Sequence, residues 1–274
     1  MIRAGFPAVL SFVLLTLPLT AQVAIDPSDF EKILFPVAGS RQGAFGSFWL
    51  GSSTIRNISE EPIMVSPNLQ SPGFCCLPGP VPALPPGRTV AAGVEQAPRD
   101  SGSIPHGAFL FVERGRTRDL AVSNRVRSGS RRTGAAIDIP VVFESDLFAN
   151  AFEVLSVSSD PDTRWTVHVY DWDATPDTVV RILVREHHAL DGDTSTIFAT
   201  AEILIPPAQT DPVTSPSELH ISIPVPVRSF DFAYDVRVEI IEGEGRIWGF
   251  VSSTHNATQA AAAYVPQSSA PPCE

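Results

Sequence analysis

The feature that most constrains this chain is a two-residue alternation of apolar and more polar side chains that recurs in many short segments. Trp165, Val167 and Val169, for example, alternate with threonine, histidine and tyrosine. Successive side chains of a β-strand point to opposite faces of a sheet, so each segment presents one face to a core. The 26 prolines and 18 glycines punctuate these segments, and no helical period is sustained. The sequence therefore predicts an all-β fold of antiparallel sheets.

In the second part of the chain the alternation predicts about eight short strands, and short connections favour antiparallel pairing between them. Regular short strands of this kind are typical of an immunoglobulin-like sandwich. We expect the second and third of these strands to form a half-buried hairpin. The predicted strands lie near 152–158, 164–171, 178–185, 196–205, 218–223, 233–241, 246–252 and 261–265.

The turn of that expected hairpin holds three carboxylates, Asp171, Asp173 and Asp177. Carboxylates this close together are solvated, paired with cations or bound to a hard cation such as Ca²⁺. Aspartate and proline are also ordinary turn residues, and the spacing is not that of an EF-hand. A solvated turn and a Ca²⁺ site both stay open, and no cofactor other than Ca²⁺ is predicted.

A second candidate metal site combines imidazoles and carboxylates in one loop, and its members are His187, His188, Asp191 and Asp193. Such ligands suit a transition metal. In a simple hairpin ladder this loop and the aspartate turn lie at opposite ends of the sandwich, so one shared ion is not expected. His168 and His220 fall on the polar faces of their strands and are predicted to face solvent.

Residues 1–21 have the pattern of a signal peptide. Arg3 precedes an apolar run from 6 to 19, which prolines interrupt and which is too short to span a membrane. We expect cleavage after Ala21 and a mature chain without a transmembrane span. The predicted location is secreted, either extracellular or periplasmic.

The two halves of the mature chain differ in charge but match in pattern. Residues 22–133 carry 12 basic and 9 acidic side chains, whereas residues 134–274 carry 6 basic and 21 acidic ones. An ungapped comparison at an offset of 104 residues aligns Phe48 with Phe152 and Ile63 with Val167. The same comparison aligns Pro67 and Leu69, and not aspartates, with Asp171 and Asp173. The sequence thus predicts two related β-sandwich domains, at 22–133 and 134–267, joined by a polar linker near 128–136 and followed by a tail at 268–274.

Three stretches carry a resemblance to a known class of proteins: FPVAGSRQGAFGSFWLGSSTIRN, RWTVHVYDWDA and GRIWGFVSSTHNATQAAAAYVP. They are similar to recurring pieces of secreted bacterial proteins with tandem immunoglobulin-like β-sandwiches, most of them of uncharacterised function. The resemblance covers most of the mature chain. It implies the fold and export, and it carries no catalytic residues.

Seven arginines and a single aspartate lie between residues 114 and 132, with no aromatic side chains among them. A nucleic-acid groove needs aromatic side chains for stacking, so nucleic acid is not a predicted partner. We expect this basic stretch to face the acidic second half. Nucleotide-binding, zinc-protease and nucleophile-elbow motifs are absent from the sequence, although all-β hydrolases need none of them.

Cysteine usage fits an oxidising compartment. Cys273 is expected to pair with Cys75 or Cys76. A bridge between the two vicinal cysteines and an intermolecular bridge stay open as alternatives.

Three classes of function remain. The first is a secreted, non-enzymatic structural, adhesive or binding module whose partner is a cell-surface protein or a glycan. The second is carbohydrate binding through exposed aromatic rings, of which Trp172 and Trp248 are the leading candidates beside Trp49 and Phe250; core packing is the alternative role of these rings. The third is a secreted hydrolase with two carboxylates of the acidic half about 5 to 10 Å apart.

Overall fold

The structure is a computed structural model that describes residues 26–38, 40–42, 48–66, 83–92, 107–128, 136–158, 160, 162–188, 196–208, 215–223 and 232–267. The signal peptide, the three cysteines, Asp191, Asp193 and the tail lie outside the described residues, so their predictions stay open. Within the described ranges the chain is all-β, with antiparallel sheets and no α-helix. This part of the chain contains no helix that is long and apolar enough to cross a membrane.

The first half of the described chain forms two antiparallel sheets. One has the order β1-β7-β4-β5; the other has the order β2-β3-β8-β9, with β6 also paired to β3. The strands are β1 (Phe30–Phe35), β2 (Ser40–Gln42), β3 (Phe48–Asn57), β4 (Ile63–Ser66), β5 (Ala83–Leu84), β6 (Thr89–Ala91), β7 (Ala108–Glu113), β8 (Leu120–Ser128) and β9 (Ala136–Asp138).

The second half also forms two antiparallel sheets, with the orders β10-β15-β12-β13 and β14-β11-β16-β17. Their bounds lie close to the eight strands that the alternation predicts. The strands are β10 (Ala151–Ser158), β11 (Thr163–Asp171), β12 (Val179–His188), β13 (Thr196–Leu204), β14 (Ser217–Ile223), β15 (Phe232–Glu242), β16 (Ile247–His255) and β17 (Ala261–Tyr264).

The two halves repeat one strand order. If β2 is set aside, the sheets β1-β7-β4-β5 and β6-β3-β8-β9 have the same connectivity as β10-β15-β12-β13 and β14-β11-β16-β17. The strand β3 therefore corresponds to β11, and Asn57 at its end corresponds to Asp171. The ungapped match of Phe48 with Phe152 set β3 against β10 and is wrong, because connections of different length separate equivalent strands in the two halves.

The boundary between the halves lies later than the sequence indicated. Ile137 of β9 pairs with Val126 of β8, so the first half extends past residue 133 to Asp138. The expected linker is therefore flanked by two paired strands of the same sheet. The chain then bridges to β1 through Val142 and reaches the second half at Phe148, which bridges to Ile247.

The expected hairpin between β11 and β12 is wrong. The strand β11 pairs with β14 and β16, whereas β12 pairs with β13 and β15. The aspartate turn therefore crosses from one sheet to the other. The apolar faces of both strands point into the same core, and alternation alone does not distinguish two facing strands from two neighbouring ones.

Three apolar clusters hold the sheets together, and each contains side chains from more than one sheet. The first lies between the sheets of the first half, around Ile33, Ile55 and Leu110. The second lies between the sheets of the second half, around Val167 and Ile182. The third, which we call the junction layer, joins the outward faces of β1 and β7 to those of β11 and β16. Its buried members are Phe30, Leu34, Phe109, Phe111, Val126, Ile139, Val142, Tyr170, Trp172, Trp248 and Phe250.

Among the described residues, the arginine-rich stretch pairs with acidic residues no later than Asp138, which follows residue 133 but belongs to the first sandwich. Arg116 pairs with Asp119, and Arg125 pairs with Asp138. The outward face of β8, which carries Arg125, lies on the far side of the first half from the junction layer.

The junction layer should contribute strongly to stability. Phe109 is fully buried there, and its ring lies 5.0 Å from that of Trp172. We expect Phe109→Ala to lower the free energy of unfolding by about 3 to 5 kcal/mol, because it leaves a cavity between two sheets. Denaturant unfolding measures this change. Leu204→Ala, at a position that is 49% exposed, is the control and should cost less than about 0.5 kcal/mol. Equal effects of the two variants would contradict the assignment.

Candidate functional site

The polar residues that could carry chemistry lie around the junction layer in two groups. One is the aspartate corner, residues 171–178, where the chain leaves β11. The other is a chain of polar contacts on the outward face of β11, β14 and β16, which we call the histidine chain. Its members are Ser252, His168, His220 and Glu218.

Asp171 organises the aspartate corner. Its side chain is fully buried; Oδ1 accepts a hydrogen bond from the backbone N–H of Asp173 at 3.1 Å. Oδ2 accepts from the backbone N–H of Thr175 at 3.1 Å and from the hydroxyl of Thr178 at 3.0 Å. Burial raises the pKa of Asp171, and the bond from Thr178 opposes that shift. These donors make the carboxylate the support of the sheet-crossing turn.

Asp173 forms a two-pronged ion pair with Arg246. The guanidinium donates from Nη2 to Oδ1 at 2.7 Å and from Nε to Oδ2 at 3.0 Å, and the backbone N–H of Arg246 also reaches Oδ2 at 3.0 Å. The side-chain bonds from Arg246 lower the pKa of Asp173. Arg246 also contacts Glu144, whereas Asp177 is exposed and has a left-handed backbone with φ of 64°.

Lys32, the only lysine in the sequence, connects the aspartate corner to the junction layer. Its Nζ lies 4.4 Å from the centre of the Phe109 ring and 5.2 Å from that of Trp172, and it donates to the carbonyl of Trp172 at 3.3 Å. Burial lowers the pKa of Lys32, and the charge of Asp173 opposes this shift. The lysine thus sets one cation among aromatic faces from both halves.

The aspartate corner has a counterpart in the first half, at Asn57. The Oδ1 of Asn57 accepts from the N–H of Ser59 at 2.9 Å, as Asp171 accepts from Asp173. The next residue in each corner, Ile58 or Trp172, donates its N–H at 2.9 Å to the carbonyl just before β8 or β16. The buried amide of Asn57 also donates to two backbone carbonyls. The sequence signal for this repeated corner was an asparagine or aspartate at the end of a strand, followed two residues later by a serine or aspartate.

Of the two roles left open for the aromatic candidates, the structure gives core packing to three of them. Trp172, Trp248 and Phe250 are 2%, 4% and 1% exposed in the junction layer, and the partly buried Trp49 packs against the same cluster. These three rings are buried because the first half covers this side of the second half. Sugar binding itself stays a prediction, and these three rings do not offer it an open stacking surface.

Of the other predicted metal ligands, Asp191 and Asp193 lie outside the described residues, and His187 and His188 lie far from the aspartate corner along β12. His187 and His188 end β12, about 30 Å along the strand from its start at Val179, given about 3.3 Å per residue. Within the described residues, no three histidine, cysteine, aspartate or glutamate side chains form a group that could hold a metal. Both metal predictions stay open, and the Ca²⁺ prediction now concerns carboxylates that already accept several hydrogen bonds.

The histidine chain was missed by the sequence analysis. Nδ1 of His168 lies 2.7 Å from Nδ1 of His220, and Nε2 of His168 lies 2.9 Å from the hydroxyl oxygen of Ser252. Nε2 of His220 lies 3.3 Å from Oε2 of Glu218, and the His168 ring stacks on Phe250 at 4.2 Å. Both histidines lie on the outward face of their sheet, but they do not face solvent as predicted, because this sheet face meets the first half.

The arrangement resembles a proton relay in which a serine hydroxyl, two imidazoles and a carboxylate follow one another. A general base beside a hydroxyl is the element that activates nucleophiles in enzymes. Ser252, however, is only 9% exposed and lies within the paired strand β16. In this structure its hydroxyl forms a hydrogen bond with Nε2 of His168 inside the protein.

The ion pair of Asp173 should make stability depend on pH in a defined direction. Because its folded pKa is lowered, the contribution is present above the unfolded value of about 3.9 and is lost as the pH falls through the folded value. We expect Asp173→Asn to cost about 0.5 to 1.5 kcal/mol at pH 7 and less at pH 2 to 3, since the pair is partly exposed. Denaturant unfolding at both pH values measures the difference. Asp177→Asn, in the same turn, should show neither effect; a pH-independent loss in Asp173→Asn would contradict the ion-pair explanation.

The effect of Ca²⁺ on the melting temperature distinguishes a structural turn from a Ca²⁺ site at the aspartate corner. Asp171 and Asp173 already accept hydrogen bonds from backbone, threonine and arginine donors, so we expect millimolar Ca²⁺ or chelator to shift the melting temperature by less than about 1 °C. Differential scanning fluorimetry is the measurement. A rise of several degrees that Asp177→Asn abolishes would instead establish a Ca²⁺ site.

Comparison of this chain with protein-family models, with curated proteins and with solved structures found no match.

Proposed function

We propose that this protein is an exported, non-enzymatic structural or adhesive module in which two β-sandwiches act as one rigid body. The observation that carries the proposal is the junction layer. It fixes the two halves through buried aromatic side chains, and it occupies the face where the aromatic and titratable candidates of the second half lie.

The charged outermost sheet faces support a closed two-sandwich unit. On the sheet β10-β15-β12-β13, Arg181 pairs with Glu202 at 2.7 Å and with Glu239 at 3.0 Å, and Arg185 pairs with Glu153 at 3.7 Å. On the opposite outer face, β3 and β8 expose Arg56, Ser123, Arg125 and Arg127. Terminal units of stacked proteins need polar outer faces of this kind.

We infer an immunoglobulin-related topology for each sandwich, as the sequence resemblance implies. If β10 to β16 are lettered A to G, the neighbours β11–β14 and β12–β15 correspond to the B–E and C–F pairs of the immunoglobulin fold. The lettering departs at the first and seventh strands, because β10 pairs with β15 and β16 pairs with β11. The central Greek-key pairs support the relationship, and the placement of β10 and β16 distinguishes this arrangement from the usual one.

Export is part of the proposal and has a direct test. A C-terminally tagged full-length chain, expressed in the producing organism, should appear outside the cytoplasm and lack residues 1–21, as measured by fractionation and N-terminal sequencing. An unprocessed chain confined to the cytoplasm would contradict export.

The function itself can be tested by gene deletion and complementation, with surface attachment and envelope integrity as readouts. We expect amide-for-carboxylate variants of the second half to complement when their melting temperatures stay within about 2 °C of the wild type. Phe109→Ala should complement poorly, because the rigid junction is lost. One stable carboxylate variant or Ser252→Ala that abolishes function would favour an enzyme and overturn the proposal.

A further inference from the structure

The histidine chain lies where the first half touches the second. The backbone N–H of Gly107, just before β7, donates to Oε2 of Glu218 at 3.0 Å. Gly107 also sits so close to Tyr170 that an added Cβ would lie 2.9 Å from its ring. Glu218 thus contacts His220 in its own half and the backbone of the other half.

The carboxylate of Glu218 sets the direction of the protons in this chain. An ionised carboxylate only accepts, so Nε2 of His220 carries a proton and, in the neutral ring, Nδ1 is an acceptor. Nδ1 of His168 must then donate across the 2.7 Å contact, which leaves Nε2 of His168 to accept from the hydroxyl of Ser252. When both rings are neutral, no two donors face each other along these contacts.

One added proton fits this arrangement, whereas a second does not. The first can bind to Nε2 of His168, because the hydroxyl of Ser252 rotates and its oxygen accepts. The second would have to bind to Nδ1 of His220, which would set two N–H groups and two cations against each other at 2.7 Å. We propose that His168 and His220 form an acid-sensitive contact, which opens and loosens the junction between the halves when both rings are protonated.

The described surroundings of the pair hold one carboxylate and three uncharged side chains. The strand β14 contributes the carboxylate of Glu218 and β11 contributes the phenol of Tyr170. The strand β16 contributes Ser252 and Phe250. Glu218 contacts both His220 and Gly107, so it connects the pair to the other half.

The first half has no such pair at the equivalent place. The register that sets Asn57 against Asp171 aligns His168 with Thr54 and His220 with Ala91, which also face each other across two strands. The histidines therefore do not belong to the repeated framework. Of the two equivalent sheets, they lie on the one whose outward face packs against the other half.

The sign of the pH effect follows from proton counting. In the unfolded chain both histidines bind protons around pH 6.5, whereas the closed junction accepts only one. The unfolded state therefore binds more protons in acid, and stability falls as the pH decreases. Excluding one proton should lower the folding equilibrium constant about 30-fold between pH 8 and pH 5.

The test compares unfolding from pH 8 to pH 5 for the wild type, His220→Asn and His255→Asn. In His220→Asn, the amide oxygen keeps an acceptor opposite His168 and removes one titrating ring, so we expect the 30-fold loss to shrink to less than about threefold. His255, at the end of β16, lies outside the histidine chain, and His255→Asn should leave the fall in stability between pH 8 and pH 5 in place. Acrylamide quenching of tryptophan fluorescence over the same range reports on Trp172 and Trp248 in the junction layer, and it should rise only in proteins with the pair intact.

Glu218→Gln provides a second, independent variant if His220→Asn folds poorly. It keeps the shape of the side chain and removes the compensating charge, so the loss of stability should begin at higher pH than in the wild type. The same pH profile in wild type and His220→Asn would overturn the proposal. A profile that His255→Asn flattens, or that Glu218→Gln shifts to lower pH, would also overturn it.

Discussion

The structure depends most on the packing of two outward sheet faces against each other. A sandwich normally turns these faces to water, and here β1 and β7 of one half cover β11 and β16 of the other with aromatic and aliphatic side chains. Aromatic side chains contribute large buried areas and prefer edge-to-face contacts such as that of Phe109 with Trp172. The sheets therefore lie in the order β3/β8, β1/β7, β11/β16 and β10/β15, with an apolar layer between each pair.

The polar groups around this layer are explained by the same packing. Lys32 is placed between rings from both halves, and the aspartate corner supplies the negative charge that opposes the shift of its pKa. The histidine pair lies on the same sheet face, where Glu218 receives a hydrogen bond from the first half. Titratable groups at this junction thus connect the charge state of the protein to the contact between its halves.

Alternation in the sequence was sufficient to predict the strands of the second half and the inward faces of Val167 and Val169. It could not predict which strands pair, because a two-residue period sets the face of a strand and not its neighbour. Alternation placed His168 and His220 on the outward face, but the predicted solvent exposure was wrong, because that face is covered by a second sandwich that no local pattern reveals. For the same reason the sequence left the role of Trp172 open between exposure and core packing; Trp172 is buried, whereas its counterpart in the other half, Ile58, is 59% exposed.

The repeat was visible in the sequence, but its register was not. Asn57 and Asp171 occupy equivalent corners and use Oδ1 in the same way, although their side chains differ in charge. An ungapped comparison placed them apart because the connections between equivalent strands differ in length. When the two halves are aligned at Asn57 and Asp171, the aspartate turn corresponds to the turn after β3. In both halves this side chain supports the chain where it crosses between sheets.

The central claim is that the junction layer makes the two sandwiches one cooperative unit. The most direct measurement is differential scanning calorimetry of the mature chain, which compares the calorimetric enthalpy of unfolding with the van't Hoff enthalpy. The account predicts a single transition in which the two enthalpies agree, as expected for all-or-none unfolding. Two separate transitions, or a calorimetric enthalpy near twice the van't Hoff value, would show that the halves unfold independently and would contradict it.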